Sequence, residues 1–590
     1  MCGIAGALNV DDAAARRGQV EAMASRMVDR GPEWEGFYAQ DGAVLGHRRL
    51  KIIDLSDLSN QPMVDEGLGL AIVFNGAIYN HRELRKELEG MGYRFRSQGD
   101  TEVILKAFHA WGEAFVERLN GMFAMCLLEL ASGRALLVRD RLGIKPLYYL
   151  RDGGTLLFAS NMTALLHGAG IKPSLSPEGL QSYLTFHAVV PSPLTLFSEV
   201  RKVEPGTMMR VAPDGTATTR RYWSLRIHTP EDMRELPQEE WEHLLDGHLR
   251  RAVQRRMVAD VPVGVLLSGG LDSSLIVGLL HHLGQEGLRT FSIGFESVGG
   301  EAGDEFAYSD LVAETFATQH HKLRIPTEEM FANLDACIGA MSEPMVSHDN
   351  VGFYLLSREV AKHVKVVQSG QGADEVFAGY HWYPKIAAAV DGEAAYREFF
   401  FDRGFAEYAQ TVGANWVNGD FAGRFVQEQF ATTEADSAVD RALRLDTTVM
   451  LVEDPVKRVD NQTMAWSLEA RVPFLDHELV EFAGQIPAPL KLADEGKGIL
   501  KSLARRYLPA EVIDRPKGYF PVPALKYLQG HTLAYVRELL TSPTAKQRGL
   551  YRSEYMERLF QEPEGHITPL GGSKLWQLGL LEAWLQKHQF

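Results

Sequence analysis

The sequence predicts an α/β protein in two parts: layered sheets flanked by helices, then a parallel-sheet α/β domain with a largely helical C-terminal part. Three observations carry this reading. Residues 2–210 of the 590-residue chain consist of short apolar runs split by Gly, Asn and Asp, with helical patterns between them. A polar stretch with Pro213, Gly215, Pro230 and Pro237 comes next. Beyond about residue 241, strand-like runs alternate with long helical patterns, as in βαβ units.

Taken in order, CGIAGALNV, AVLGHRRLKIID, GLAIVFNGAIYN, GMFAMCLLEL and RALLVRD read as strands. His81–Met91 and Glu102–Trp111 carry helical periodicity, and the alternation predicts layered sheets with helices outside. The expected boundaries are a first domain over 2–210, a linker over 211–240 and a second domain over 241–590. In the second domain VPVGVLL, RTFSIGF and VKVVQSG read as strands, and 385–590 reads as mostly helical. No repeat or low-complexity tract interrupts either part.

Composition narrows the function classes. The formal charge is −16, from 61 basic and 77 acidic side chains. That balance opposes a phosphate-backbone footprint, so no nucleic acid partner is expected. The three cysteines, Cys2, Cys126 and Cys337, do not make a disulfide framework and point to a reducing compartment. The start MCGIAGALNV has no basic leader region. Apolar runs such as Gly121 to Leu128 fall short of the roughly 18 residues that span a bilayer. The expectation is a cytoplasmic protein with no membrane partner.

Two turns carry chemistry in the second domain. The strand Val261–Leu267 runs into Ser268-Gly-Gly-Leu-Asp-Ser-Ser274, and Leu275, Ile276, Leu279 and Leu280 mark a helix beyond it. A glycine turn opening a helix offers bare N–H groups and a positive dipole end to an anion. Gly269 and Gly270 allow close approach, and Ser268, Ser273 and Ser274 add hydroxyls. The string lacks the Gly-Lys-Ser/Thr of a Walker A loop. Asp272 inside an anion site implies Mg²⁺ between carboxylate and phosphate. The second turn, Ser369-Gly-Gln-Gly-Ala-Asp374, follows VKVV and offers Asp374 as a second carboxylate. Both turns would face one crevice at the carboxyl ends of the strands.

In the first domain, Cys2 stands behind Met1. Once Met1 is trimmed, a thiol and a free α-amine share one residue, nucleophile beside base. Retained Met1 would leave that amine blocked. Alone, a cysteine near a terminus ordinarily serves as a small hydrophobe.

SGGLDSS with SGQGADEVFAGY resembles the pyrophosphate-loop synthetase domain of glutamine-dependent asparagine synthetases, as do SLEARVPFLDHELVEFA (467–483) and RPKGYFPVP (515–523). Cys2-Gly-Ile, Arg30-Gly-Pro32, Gly46-His-Arg-Arg-Leu50, Asn75-Gly76, Gly99-Asp-Thr-Glu102 and Arg139–Pro146 resemble the glutaminase domain of the same family. The resemblance spans nearly the whole chain. It implies an N-terminal-nucleophile αββα glutaminase sandwich and an ATP pyrophosphatase domain that together consume glutamine, ATP and a carboxylate acceptor. It further implies that Cys2 attacks the glutamine amide, that Asn75 and Gly76 stabilise the oxyanion, that Arg49 clamps the α-carboxylate and that Asp100 holds the α-ammonium. For the nucleotide it implies pyrophosphate at Ser268–Ser274, Mg²⁺ at Asp272 and Asp374, adenosine at the backbones of Leu267, Ile293, Ser369 and Gly370, and Lys517 near the α-phosphate. Assembly stays open between a single chain and a homodimer.

Three positions depart from the family pattern. Ala77 stands where Asn-Gly-Glu-Ile-Tyr-Asn has Glu. Gln371 stands where the turn has Glu or Asp and cannot act as a base. Ser342-Glu-Pro-Met-Val-Ser-His-Asp349 replaces Glu-Pro-x-x-Asp-Pro-Ser. These strings, with PKGYFPVPALKYL, resemble the branch that amidates N-acetylglutaminylglutamine. The expected product is a dipeptide amide used as an osmoprotectant; L-aspartate is the alternative acceptor. A scaffold with dead sites is opposed by Cys2, Asp272, Asp374 and Lys517, and adenylation of a tRNA base by the acidic balance and the glutaminase domain.

Overall fold

The computed structural model describes residues 2–10, 12–296, 304–347, 349–515 and 528–590. Two six-stranded antiparallel sheets form the first domain. One runs Val200–Lys202, Tyr148–Asp152, Thr155–Ala159, Gly3–Val10, Gly42–Arg49 and Trp34–Gln40. The other runs Ala217–Arg221, Thr207–Val211, Ala135–Arg139, Gly121–Glu129, Leu70–Ile78 and Met63–Asp65.

Strand alternation explains the layering. Ile4 and Leu8 point between the sheets and meet Ala43, Leu45, Ala71, Val73 and Phe158. Ala5 and Ala7, one residue out of phase, face the helices Ala13–Ser25 and Met162–Ala169 through Val20, Met23 and Leu165. On the second sheet Ile72, Phe74 and Met125 pack outward against Leu84, Leu88, Val103 and Ile104 of the helices His81–Gly90 and Asp100–Trp111. Helix, sheet, sheet and helix thus stack as the expected αββα sandwich. Asp12 starts the first helix by accepting from the N–H groups of Ala14 and Ala15.

The expected linker over 211–240 differs in part. Ala217–Arg221 (ATTRR) pairs antiparallel with Thr207–Val211 and extends the second sheet. Its polar composition is that of an exposed edge strand, where Arg and Thr deter further pairing.

The second domain is built on a parallel five-stranded sheet, ordered Gln319–Ile325, Arg289–Phe295, Val263–Leu266, Val366–Gln368 and Glu469–Arg471. The chain winds outward from Val263–Leu266 in one direction, then returns to Val366–Gln368 on its other side. That reversal opens a crevice at the carboxyl ends of these two strands. Helices dominate the remainder. Ala438–Leu445 continues through two π-helical turns, Asp446–Met450 and Val452–Val456, into Lys457–Met464.

The domains share their cores. One apolar cluster joins Ala77, Met122, Leu142 and Ile144 of the sandwich to Leu267, Phe377 and Leu451 of the second domain. The helix Lys574–Lys587 is buried from Leu575 through Leu585. Its Gln577 exchanges two hydrogen bonds with Tyr183 of the sandwich, at 3.0 and 2.9 Å. Among the described residues no helix is long and apolar enough to cross a membrane.

Candidate active sites

Cys2 enters the strand Gly3–Val10 buried, and burial pushes its thiol above the ordinary range. Its backbone N–H donates to Asn75 Oδ1 at 2.9 Å. The other amide atom, Asn75 Nδ2, is buried without a hydrogen-bond partner, a donor left over for an oxyanion. Gly76 lies against the neighbouring strand, where a Cβ would come within 2.1 Å of the Met122 carbonyl. Only glycine fits there. Asp100 opens the helix Asp100–Trp111 and accepts from the Ile78 N–H at 2.9 Å; burial raises its carboxyl. Cys2, Arg49, Gly76, Ala77 and Asp100 line one small pocket of about 30 Å³. The Arg49 guanidinium is already held by the loop beyond it, at 2.7 Å from Ser56 O and 2.7 Å from Asn60 Oδ1, and by the Asp54 carbonyl.

The pocket has a wall from the second domain. Glu469, on the edge strand Glu469–Arg471, lines it beside Cys2. Sequence reasoning passed over this residue, because nothing in SLEARVPFLD marks which side of the strand meets the other domain.

At the second site, the order reversal produces the crevice, a cavity of about 800 Å³. Leu267, Ser268, Gly270, Asp272, Ser273, Ile293, Ser369, Gly370 and Asp374 line it. Gly269 and Ser274 do not: they sit behind the turn. Gly269 takes φ +77°, and a Cβ there would meet the Ser309 nitrogen at 2.7 Å. Ser274 Oγ is fully buried without a partner. The turn is held in shape by its own hydroxyls, with Ser268 N–H donating to Ser273 Oγ at 3.2 Å and Gly270 N–H to Ser268 Oγ at 3.3 Å. The two turns touch, since a Cβ on Gly370 would lie 3.0 Å from Asp272 Cβ. The Leu267 carbonyl accepts from the Ser292 hydroxyl.

A lysine missed by sequence reasoning joins the two carboxylates. Lys497 Nζ lies 2.7 Å from Asp272 Oδ2 and 2.9 Å from Asp374 Oδ1. Burial alone would lower its pKa, but the two carboxylates more than reverse this and raise it. The turn that delivers it is tight: Gly496 has φ +102° with the Ala378 carbonyl 2.4 Å from any Cβ, and Lys497 itself has φ +57°. Gly-Lys-Gly directly before the helix Gly498–Ala504 was the available clue. Two carboxylates around one cation are also a fit for Mg²⁺, which takes one or two carboxylates and completes its shell with phosphates and water. Lys517 lies outside the described residues.

The segment 342–349 spans two places. Glu343 is buried between the domains against Lys202 (3.0 Å) and Lys457 (3.2 Å), away from the crevice. Among the described residues of the segment, only Asp349 lines the crevice, paired with Arg458 at 2.8 Å. His348 lies outside the described residues. Gln371 lines the crevice, and Glu375 beside it is pushed up to about 8 by burial and by Asp374.

A cysteine pocket in an αββα sandwich, fused to a parallel sheet with a glycine-serine anion turn, defines a class: two-site amidotransferases. Comparison with known proteins makes it specific. The sequence model of the Asparagine synthase family matches residues 244–586, and that of the Glutamine amidotransferase domain matches 1–223. The chain is 32% identical over 630 residues to asparagine synthetase (glutamine-hydrolyzing) 1 of Bacillus subtilis (strain 168), covering 99% of this chain and 96% of that one. It is 28% identical over 614 residues to asparagine synthetase (glutamine-hydrolyzing) 3 of Arabidopsis thaliana, covering 97% and 90%. The chain belongs to the glutamine-dependent asparagine synthetase family. It is a ligase with glutamine as amido-nitrogen donor.

Proposed function

We propose that the chain amidates N-acetylglutaminylglutamine, using ATP and the ammonia released from glutamine. The observation that supports this acceptor is the lining of the crevice. Two departures from the family pattern, Gln371 and Asp349, face the same 800 Å³ cavity as the anion turn. Its size is in the upper part of the range for small-molecule sites and leaves room for an acceptor larger than aspartate.

The residues assign the steps. The Cys2 thiolate attacks the glutamine side-chain amide, with its own α-amine as base once Met1 is removed. Asn75 Nδ2 and the Gly76 backbone stabilise the oxyanion, Asp100 takes the substrate ammonium, and Arg49 takes its carboxylate by exchanging loop carbonyls for it. Ammonia leaves, and water returns Cys2 by releasing glutamate. In the crevice the acceptor carboxylate attacks the α-phosphorus of ATP. Pyrophosphate departs into the turn at Ser268, Gly270 and Ser273, where the helix Leu271–His282 presents its positive end. Ammonia then attacks the acyl carbon and AMP leaves. Lys497 neutralises charge beside both carboxylates, and Lys517 is assigned to the α-phosphate side. Mg²⁺ held by Asp272 and Asp374 would screen the phosphates.

The test is to supply purified protein with ATP, Mg²⁺ and glutamine, and either the acetylated dipeptide or aspartate. The expected result is pyrophosphate release with the dipeptide alone. Release with aspartate and none with the dipeptide would overturn the acceptor and leave asparagine synthesis as the activity.

A further inference from the structure

The glutaminase pocket contains a carboxylate that its own domain does not supply. Glu469 is 1% exposed and lines the 30 Å³ pocket with Cys2. It is fixed from behind: Arg471 Nε donates to Glu469 Oε1 at 2.6 Å, and Arg471 is itself anchored at 2.8 Å on the carbonyls of Arg256 and Val258. The strand carrying both is clamped at its two ends, with Glu469 N–H donating to Lys365 O and Arg471 O accepting from Ser369 N–H, each at 2.8 Å. A side chain so constrained is aimed, not adaptable.

We propose that Glu469 is a positioning residue of the glutaminase: its carboxylate holds the α-amine of the trimmed Cys2 in place as the base, so that a strand of the synthetase sheet completes the glutaminase site. The inference rests on the glutaminase reading above. A nucleophile whose base is its own α-amine needs that amine oriented, and a fixed anion in the same pocket does this.

The surrounding charges favour an ionised Glu469. Burial opposes its charge, but the chain's terminal amine first, and then Arg471 and Lys145, bring it down to about 2. Its charge is felt at Cys2, where it raises the thiol, and at Asp100. The other groups around Cys2 are Arg30, whose Nε donates to the Cys2 carbonyl at 3.2 Å, Arg49, and His47, which burial takes down to about 3 and keeps neutral. Arg30 and Lys145 are both paired with Asp460, at 2.8 and 3.4 Å.

Full-length wild type, E469Q and E469D are assayed for glutamine hydrolysis across pH and for ammonia-dependent pyrophosphate release. An anion stabilises a protonated amine, so removing it lowers the amine pKa. E469Q is therefore expected to move the acid limb of the glutaminase profile down by about one pH unit. Its kcat should fall about tenfold with KM for glutamine unchanged, and ammonia-dependent release should be retained. E469D keeps the charge but withdraws it, and should keep the acid limb while kcat falls. A raised KM with the acid limb unmoved would overturn the proposal in favour of a glutamine contact. Equal loss of ammonia-dependent release in E469Q would overturn it in favour of a packing role, and wild-type kcat in E469D would overturn it by showing that the position of the charge does not matter. Wild type that hydrolyses glutamine alongside an unchanged E469Q would overturn this inference alone, whereas wild type inert towards glutamine would overturn the glutaminase reading beneath it.

Discussion

Cys2 and Lys497 show how differently single residues can be read. Cys2 stands out as a candidate because its place in the chain has chemical meaning: next to Met1, a thiol can gain a free amine. Cys2→Ala is expected to abolish glutamine hydrolysis and leave ammonia-dependent pyrophosphate release intact, both read on the same preparation. Lys497 was not legible, because its partners lie 225 residues away at Asp272 and at Asp374 in the other turn. Its role comes from a left-handed turn that folds it back over the crevice. Lys497→Met is expected to cut acceptor-dependent pyrophosphate formation by about 100-fold or more, since a preorganised charge at a reacting phosphate is lost. Glutaminase activity measured alongside should be unaffected. The carboxylate-clamp role of Arg49 is implied by the family resemblance; in the structure its guanidinium is held by Ser56 O and Asn60 Oδ1.

At the level of elements, periodicity served well wherever local pattern decides structure. RTFSIGF is the strand Arg289–Phe295, and the apolar spacing after SGGLDSS is the helix Leu271–His282. It served less well at ATTRR, where a polar edge strand looks like a linker, and at 342–349, which serves a domain interface and a crevice in eight residues. The anion turn depends on Gly269 rather than on its serines alone. Gly269→Ala would force a side chain into φ +77° and against the backbone of Ser309. It is expected to cost about 1–2 kcal/mol in thermal or denaturant unfolding and to abolish pyrophosphate release while sparing glutamine hydrolysis.

Over the whole molecule, the two domains are joined by a buried polar seam that no sequence pattern announced, because its members come from both domains. Lys202 of the sandwich meets Glu343 and Glu453, and Lys457 meets the same two carboxylates. Burial alone would raise Glu453, but Lys202 and Lys457 hold it at about 2 against an ordinary 4.5. The folded state therefore binds fewer protons than the unfolded one between these values. The stabilisation is present above pH 4.5 and is lost as pH falls towards 2. Glu453→Gln should cost about 3 kcal/mol at neutral pH, by leaving the lysines short of a buried partner, and should flatten the acid dependence of unfolding between pH 4.5 and 2. The seam, the shared core and the place of Glu469 in the Cys2 pocket pack the two domains against each other; in the function proposed above, ammonia freed at Cys2 reaches a carboxylate activated between Asp272 and Asp374. The most direct test is nitrogen transfer. Protein is given ATP, Mg²⁺, the acetylated dipeptide and glutamine labelled with ¹⁵N at its side-chain amide, in a buffer containing unlabelled ammonium, and the product amide is analysed by mass. The account expects the label in the new amide, with AMP, pyrophosphate and glutamate formed one for one. Unlabelled amide, or glutamate formed with no amide at all, would contradict it.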